Sequence, residues 1–168
     1  PEILFGFTKL KHSLTKNSQE VVVYDTIWDL KLPSITNVQD SKLRPLIQDK
    51  ITSHIYDMEQ LLQKRYLFRN LKYTLSNLAK DMNIPLSHLS YLFKYHSNLS
   101  FIEFKNHHRV LDAIFLMETN FLDSKTLDGL SIYVGFVTYN SFFIAFKKQT
   151  GYTPNEYLVS AKNITLSY

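Results

Sequence analysis

The 168-residue chain is predicted to fold as an all-α protein, and three observations support this. Glycine and proline are scarce, at 4 and 5 residues, which disfavours β-sandwiches and barrels built from many tight turns. Apolar residues make up 45% of the chain, enough to build a core. From residue 46 onward those apolar residues recur at helical spacing, between residues that typically begin or end helices.

The composition also excludes several classes of protein. Cysteine is absent, which removes disulfide scaffolds, cysteine-ligated zinc and thiol nucleophiles. No apolar run approaches the roughly 18 residues of a membrane helix, so a soluble, cytoplasmic chain is predicted. The net charge of +4 permits nucleic acid or an anionic surface as a partner without requiring one. Because the chain begins at Pro1 without a methionine, we interpret it as part of a longer polypeptide.

The first 45 residues are interpreted as an N-terminal arm, juxtamembrane segment or linker. Residues 21–32 could form a short strand or an extended arm. Pro33, Asn37, Asp40 and Pro45 are then expected to interrupt any helix.

Residues 46–168 are predicted to be a helical domain. Its first helix shows one apolar face at steps of 4, 4, 3 and 4, made by Ile47, Ile51, Ile55, Met58 and Leu62. Short helices are expected to begin after Thr74, Ser100, Thr126, Thr138 and Thr153. Two of these starts are capping boxes, with Glu103 three residues after Ser100 and Glu156 three residues after Thr153.

Two stretches of this domain resemble each other. Residues 74–94 and 126–147 share a pattern of apolar and small residues, offset by 52 positions at the start and 53 at the end. Each predicts a helix, a short turn and a second helix, the arrangement of a helix-turn-helix whose second helix enters the major groove of DNA. The alternative is a pair of ordinary helical hairpins whose apolar residues only form a core. A connecting helix over residues 100–118 would span about 28 Å, close to the roughly 34 Å between successive major grooves.

The second copy carries the most specific motif of the sequence. It comprises Gly135-Phe136, Phe142, Phe146-Lys147-Lys148, Thr150-Gly151-Tyr152-Thr153-Pro154 and Glu156-Tyr157. With this run, residues 74–158 resemble the C-terminal DNA-binding domain of AraC/XylS-type transcription regulators. The resemblance implies a first helix-turn-helix at about 74–96, a linker helix at about 100–118 and a second helix-turn-helix at about 126–150. A short match of residues 1–6 to segments that follow the last membrane helix in some members suggests, as a hypothesis, a membrane tether upstream of residue 1.

The resemblance also implies which side chains meet DNA. In the first reading helix these are Ser87, His88, Ser90, Tyr91 and Lys94. In the second they are Thr138, Tyr139, Asn140, Ser141, Ile144, Lys147 and Lys148. Asn140 suits adenine, because a side-chain amide can pair with it bidentately. For each position the alternative is a solvated helix face.

This chain departs from the family at two of those positions. Tyr91 and Ile144 stand where an arginine is frequent, and arginine to guanine is the commonest specific contact. Residues 70–168 hold 9 Lys and Arg against 7 Asp and Glu, a net charge of only +2. We therefore expect a modest electrostatic share of the affinity and a preference for A·T steps.

Other candidate sites are weaker. Arg109 could contact a phosphate, or form an internal salt bridge with Asp112 or Glu103. Adjacent His107 and His108 point about 100° apart on a helix, which disfavours a metal site. Six phenylalanines at helical spacing are expected in the core: Phe101, Phe104, Phe115, Phe136, Phe142 and Phe146. With no nucleophile motif, phosphate loop or paired carboxylates, neither an enzyme nor a cofactor is predicted.

The preferred function is sequence-specific binding of promoter double-stranded DNA, with RNA polymerase as a further partner and a homodimer as a hypothesis. One alternative is a helical module of the same fold that binds a protein and has little DNA affinity of its own. A weaker alternative makes residues 1–45 an effector or dimerisation element.

Overall fold

The computed structural model describes residues 27–64 and 66–165 and, for residues 63, 64, 120 and 161–165, the backbone alone. Within these ranges the chain forms eight α-helices and no β-strand, which confirms the all-α prediction. They are α1 (Val38–Ile47), α2 (Ile51–Lys64), α3 (Leu75–Asp81), α4 (Leu86–Tyr95), α5 (Phe101–Met117), α6 (Leu127–Tyr133), α7 (Tyr139–Thr150) and α8 (Pro154–Thr165). None of the helices in this part of the chain is long and apolar enough to cross a membrane.

The described residues divide into two compact units. The first unit comprises residues 27–67 and 72–103, and the second comprises residues 68–71 and 104–165. The first unit therefore holds α1 to α4, and the second holds α6 to α8 with most of α5.

Helix α1 contradicts the expectation that residues 33–45 interrupt any helix. Asn37 is its N-cap, because the side-chain oxygen accepts hydrogen bonds from the backbone N–H of Gln39 at 2.8 Å and of Asp40 at 3.2 Å. Asp40 lies in the first turn, where the helix dipole favours a negative charge. Two residues interpreted as helix breakers are thus the start signals of a helix. Pro45, another of the four, lies inside α1, where it lacks the N–H that a helical residue would donate.

The predicted strand or arm at residues 21–32 lies largely outside the described residues, as does the match at residues 1–6. Of residues 27–32, Trp28 forms an isolated antiparallel bridge with Ser97. The backbone N–H of Asp29 donates to the carbonyl of His96 at 2.9 Å, and that of Asn98 donates to Ile27 at 2.8 Å. Residues 27–29 are therefore held against the end of α4.

The apolar face predicted for the first helix is present, but two helices share it. Ile47 ends α1, a 3-10 turn at Gln48–Lys50 follows, and α2 carries the rest. Ile47, Ile51, Ile55 and Met58 are all buried. They form part of the first unit's core, together with Leu78, Ala79, Leu89 and Leu92 of α3 and α4.

The predicted helix starts are confirmed. The Thr74 hydroxyl accepts from the N–H of Asn77 at 3.2 Å, and the Asn77 side chain accepts from the N–H of Thr74, a complete capping box. Ser100 and Glu103 form the reciprocal pair at α5, with bonds of 3.0 and 3.2 Å. Thr153 and Glu156 do the same at α8, with bonds of 2.8 and 3.2 Å. Local sequence therefore determines where these helices begin.

A cluster of buried apolar residues forms a core in the second unit. Its buried residues are Val110, Ala113, Ile114, Leu116, Met117, Leu130, Val134, Phe136, Phe142, Phe146 and Tyr157. Phe136 and Phe146 each pack against Phe142 with ring centroids 5.4 Å apart. Phe115 does not belong to this core, because 55% of it is exposed, so its assignment as a core residue was wrong.

Arg109 is buried in the second unit and uses neither of the partners suggested for it. Its Nε–H donates to the backbone carbonyl of Phe68 at 2.8 Å, and its guanidinium lies 5.5 Å from the centre of the Phe136 ring. Asp112, suggested as its salt-bridge partner, binds Arg69 instead. The Arg109 side chain therefore positions residue 68 and is not placed at the surface where a phosphate would bind.

Candidate nucleic-acid interface

The two helix-turn-helix copies share two features of their turns, a residue with positive φ and a matching backbone hydrogen bond. Asn83 and Gly135, 52 positions apart, both adopt positive φ, at 55° and 102°. In the first copy the N–H of Ile84 donates to Ala79 at 3.0 Å, and in the second the N–H of Phe136 donates to Ser131 at 2.9 Å. The extra residue of the second copy is Val137, which follows this shared turn. The duplication seen in the sequence is therefore a duplication of structure.

The second candidate reading helix, α7, presents a polar and apolar stripe to solvent. Asn140, Ile144 and Lys147 are exposed and stand at positions i, i+4 and i+7, on one face of the helix. The opposite face carries Phe142 and Phe146, which are fully buried. Because the core occupies one face only, the side chains of the outward stripe do not contribute to packing and can meet a partner.

The first turn of α7 is built by its own side chains. The hydroxyl of Thr138 accepts from the N–H of Ser141 at 3.2 Å, and the Ser141 hydroxyl donates to the Thr138 carbonyl at 2.8 Å. Tyr139 is half-buried and packs beside Phe142, with centroids 5.9 Å apart. Lys148 is exposed in the last turn, one residue beyond the stripe. These four residues therefore lie at the edge of the candidate interface.

The first candidate reading helix, α4, is only partly available. Ser87 and Ser90 are exposed, as expected. His88 is half-buried, and its Nδ1 lies 3.4 Å from Nε2 of His54 on α2. Burial lowers the pKa of both imidazoles, so both are predominantly neutral near pH 7. Pro85 occupies the N-cap of α4, where it makes no side-chain capping hydrogen bond.

Tyr91 contradicts the expectation of an exposed reading residue. It is 2% exposed, and its ring packs beside those of Tyr95 and His96, at centroid distances of 4.8 and 5.7 Å. Burial raises the pKa of its phenol. In this conformation the side chain cannot reach a base.

Lys94 is exposed but already has an acidic partner. Its ammonium lies 2.6 Å from Oδ2 of Asp40 on α1, and the Tyr95 hydroxyl donates to the same oxygen at 2.7 Å. The hydrogen bond from Lys94, followed by that from Tyr95, lowers the pKa of Asp40, and the same pairing raises the pKa of Lys94. Nothing in the local sequence pattern indicated this contact, because 54 positions separate the two residues.

Histidines 107 and 108 are placed in an apolar environment. The His108 ring lies 4.5 Å from the Phe104 ring and 5.7 Å from the Phe68 ring, measured between centroids. Burial lowers the pKa of His107 to about 4 and that of His108 to about 3. Among the described residues, no three histidine, aspartate or glutamate side chains are grouped to hold a metal ion.

Comparison with known proteins identifies the duplicated region. Residues 78–159 match the family model of a helix-turn-helix domain. The transcriptional regulatory protein HptR of Staphylococcus aureus (strain NCTC 8325 / PS 47) is 25% identical over 129 residues, which are 77% of this chain and 48% of HptR. The C-terminal domain of AraT, a response regulator from Geobacillus stearothermophilus, is 28% identical with a TM-score of 0.50, over 66% of this chain and 85% of that domain. The chain thus spans about half the length of the curated relatives it matches.

Proposed function

We propose that this chain binds double-stranded DNA with sequence preference. Residues 78–159 form an AraC-type helix-turn-helix domain, which is typical of DNA-binding transcription regulators and not of enzymes. Helices α4 and α7 are the reading helices, inserted into successive major grooves. The observation that carries the proposal is the exposed stripe of Asn140, Ile144 and Lys147 on α7, which the core does not need.

Each member of this stripe has a chemical counterpart on DNA. The side-chain N–H of Asn140 can donate to N7 of adenine, while its side-chain oxygen accepts from the N6 amino group. Ile144 can pack against a thymine methyl. Lys147 and Lys148 lie in the last turn of α7 and supply charge for phosphate oxygens. An asparagine and an apolar residue, with no arginine on the stripe, favour A·T over G·C steps.

The test is fluorescence anisotropy of the 168-residue chain with labelled duplexes, at salt concentrations between about 50 and 200 mM. A random-sequence pool, followed by selection and sequencing of bound duplexes, would give the preferred site. We expect selection of an A·T-containing motif. We also expect the slope of log K against log salt to be about −0.9 for each phosphate neutralised. An A·T-poor consensus would contradict the base preference.

Groove insertion is tested separately by missing-nucleoside interference on the selected site, which reports contacts to every base. Two reading helices in successive major grooves predict two sensitive segments, with centres about 10 base pairs apart. A single segment would mean that one helix-turn-helix alone reads the site. Absence of any binding at low salt by a folded chain would favour the protein-interaction module instead.

A further inference from the structure

The two copies of the helix-turn-helix differ sharply at one matching position. Counted with the offset of 53 that relates the reading helices, Tyr91 of α4 corresponds to Ile144 of α7. Ile144 is 58% exposed, whereas Tyr91 is 2% exposed. The position is therefore exposed to solvent on α7 and covered on α4.

The core of the first unit does not account for that burial. Leu89, Leu92 and His96 are buried on one side of α4. At about 100° per residue, Tyr91 lies about 100–160° away from those three side chains, on the outward side near Ser87 and Lys94. Something beyond the helix-turn-helix core therefore covers the outward side.

The covering element is α1 with the residues that lead into it. We call residues 30–46 the N-terminal cover. Helix α1 packs against α4, and Arg44 and Asp40 of α1 are close enough to influence the ionisation of Tyr91. The cover is held at both ends, because Trp28 packs against Phe93 at 5.6 Å and Ile47 is buried in the core.

The cover also forms a salt bridge with the lysine on the outward face of α4. Lys94 matches Lys147 of α7 by the same offset, yet Lys94 binds Asp40 at 2.6 Å. A phosphate oxygen and the Asp40 carboxylate need the same ammonium group, so DNA and α1 compete for it. Tyr95, which donates to the same carboxylate, belongs to the same contact.

The fit between cover and α4 is incomplete. A solvent-open cleft of about 220 Å³ lies where the cover, α4 and the start of α2 meet, and its lining includes Leu30, Pro33, Arg44, Ile51, Tyr91 and His96. Within the described part of the chain, the buried Nε2 of His96 has no hydrogen-bond partner. An open cleft and an unsatisfied buried polar atom both make a packed contact less stable, so opening of this contact costs less free energy than opening of a fully packed one.

From these observations we propose that the N-terminal cover is an autoinhibitory element, which must leave the outward face of α4 before the first helix-turn-helix binds DNA. This inference rests on the proposed DNA-binding function and names a regulation of the same site. The second helix-turn-helix has its reading stripe exposed and binds without such a step. DNA binding by the covered chain is therefore one-sided and weak.

A covalent lock tests the proposal. The chain has no cysteine, so Asp40→Cys and Tyr95→Cys introduce the only two thiols, in α1 and α4. A bis-maleimide would bridge them, and N-ethylmaleimide on both thiols gives a matched control of the same chain with similar bulk. We expect the bridged form to bind the selected duplex at least about tenfold more weakly than the capped form, because the bridge prevents the cover from leaving α4.

Point variants test the same step without a cross-link. Asp40→Ala removes the contact to Lys94 and should tighten binding several-fold, because a larger fraction of molecules is open. Asp57→Ala removes the same charge from an exposed position of α2 and should leave the affinity nearly unchanged. Far-UV circular dichroism of every form checks that the helices persist.

The outcomes separate the two proposals. Equal affinities of the bridged and capped forms would overturn the autoinhibitory role and leave DNA binding intact. Equal effects of Asp40→Ala and Asp57→Ala on the affinity would mean that only the loss of a negative charge matters. That result would also overturn the autoinhibitory role. If the starting chain, the capped form and Asp40→Ala all failed to bind any duplex, the proposed function itself would fall.

Discussion

The guanidinium of Arg69 and the carboxylate of Asp112 form a bidentate pair, with both N–O distances at 2.7 Å. The two side chains are only 23% and 11% exposed. Arg69 also donates to the Tyr133 hydroxyl at 2.9 Å, and its guanidinium lies 4.4 Å from the centre of that ring. One arginine thus joins the turn before α3 to α5 and α6 within the second unit.

Loss of either partner should destabilise this unit. We expect Asp112→Ala to lower the free energy of unfolding by about 1–3 kcal/mol, because Arg69 would keep a partly buried charge without its carboxylate. The double variant Arg69→Ala/Asp112→Ala should cost less than the sum of the two single changes. Urea unfolding measures both quantities, with the exposed Asp123→Ala as control. Strict additivity would mean that the pair contributes nothing as a pair.

Gly135→Ala should be strongly destabilising. Its φ is +102°, and an added Cβ would lie 2.5 Å from the carbonyl oxygen of Phe68 and 2.9 Å from Nε of Arg109. A loss of about 3 kcal/mol or more is expected from strain combined with the displaced Arg109–Phe68 bond. Thermal unfolding is the measurement.

Gly129→Ala is the matched control for that change. Gly129 lies in α6 with an ordinary φ, and an added Cβ would meet only the Thr126 hydroxyl oxygen at 3.4 Å. Alanine should stabilise α6 by up to about 1 kcal/mol. If the two substitutions shifted the melting temperature alike, the close approach at Gly135 would not matter.

Stability should fall as the solution becomes acidic, because His107 and His108 are held neutral. Their folded pKa values, about 4 and about 3, lie below the ordinary 6.5, so the unfolded chain takes up protons first. The loss begins as the pH falls through about 6.5 and continues toward the folded pKa values, at up to about 1.4 kcal/mol per pH unit for each histidine.

Denaturant unfolding at pH 7.5 and at pH 5.5 measures this effect in the wild type and in His107→Gln/His108→Gln. The double variant should lose less stability between the two pH values than the wild type, by about 2 kcal/mol. Identical losses would show that other groups govern the acid sensitivity.

Asn140→Ala should reduce base discrimination without reducing stability. A bidentate amide–adenine contact is worth about 1–3 kcal/mol, so the preference for the selected site over a single-base variant should drop by about five- to 150-fold. Anisotropy titrations against both duplexes give the ratio. Asn155→Ala, at an exposed position of α8, is the control and should leave the ratio unchanged.

Lys147→Ala should weaken binding to all sequences alike. If Lys147 neutralises one phosphate, its loss makes the negative slope of log K against log salt shallower by about 0.9. Lys50→Ala removes an exposed lysine outside both helix-turn-helix copies and outside the N-terminal cover, and should leave the slope unchanged. A change in base preference with an unaltered slope would place Lys147 at a base edge.

Much of this fold is readable from the sequence, because its information is local. The pairs Ser100–Glu103 and Thr153–Glu156 lie three residues apart, and such spacing alone brings side chain and backbone together. The two helix-turn-helix copies carried their pattern within about 20 residues each. The resemblance to AraC/XylS-type regulators implied the exposed positions Asn140, Ile144 and Lys147, which the structure places on one face of α7. The same local rules misled at Asn37 and Asp40, since cap residues and helix breakers are the same residue types.

The tertiary structure decided everything that depends on residues far apart along the chain. Asp40 meets Lys94 across 54 positions, and Arg69 meets Asp112 across 43, and neither pair has a signature in a local window. Whether Tyr91 is open or covered was equally hidden, because its helical position is that of an exposed residue and its burial accompanies the long-range packing of α1 against α4. Periodicity specifies which face of a helix is apolar, but long-range packing specifies what lies against the other face.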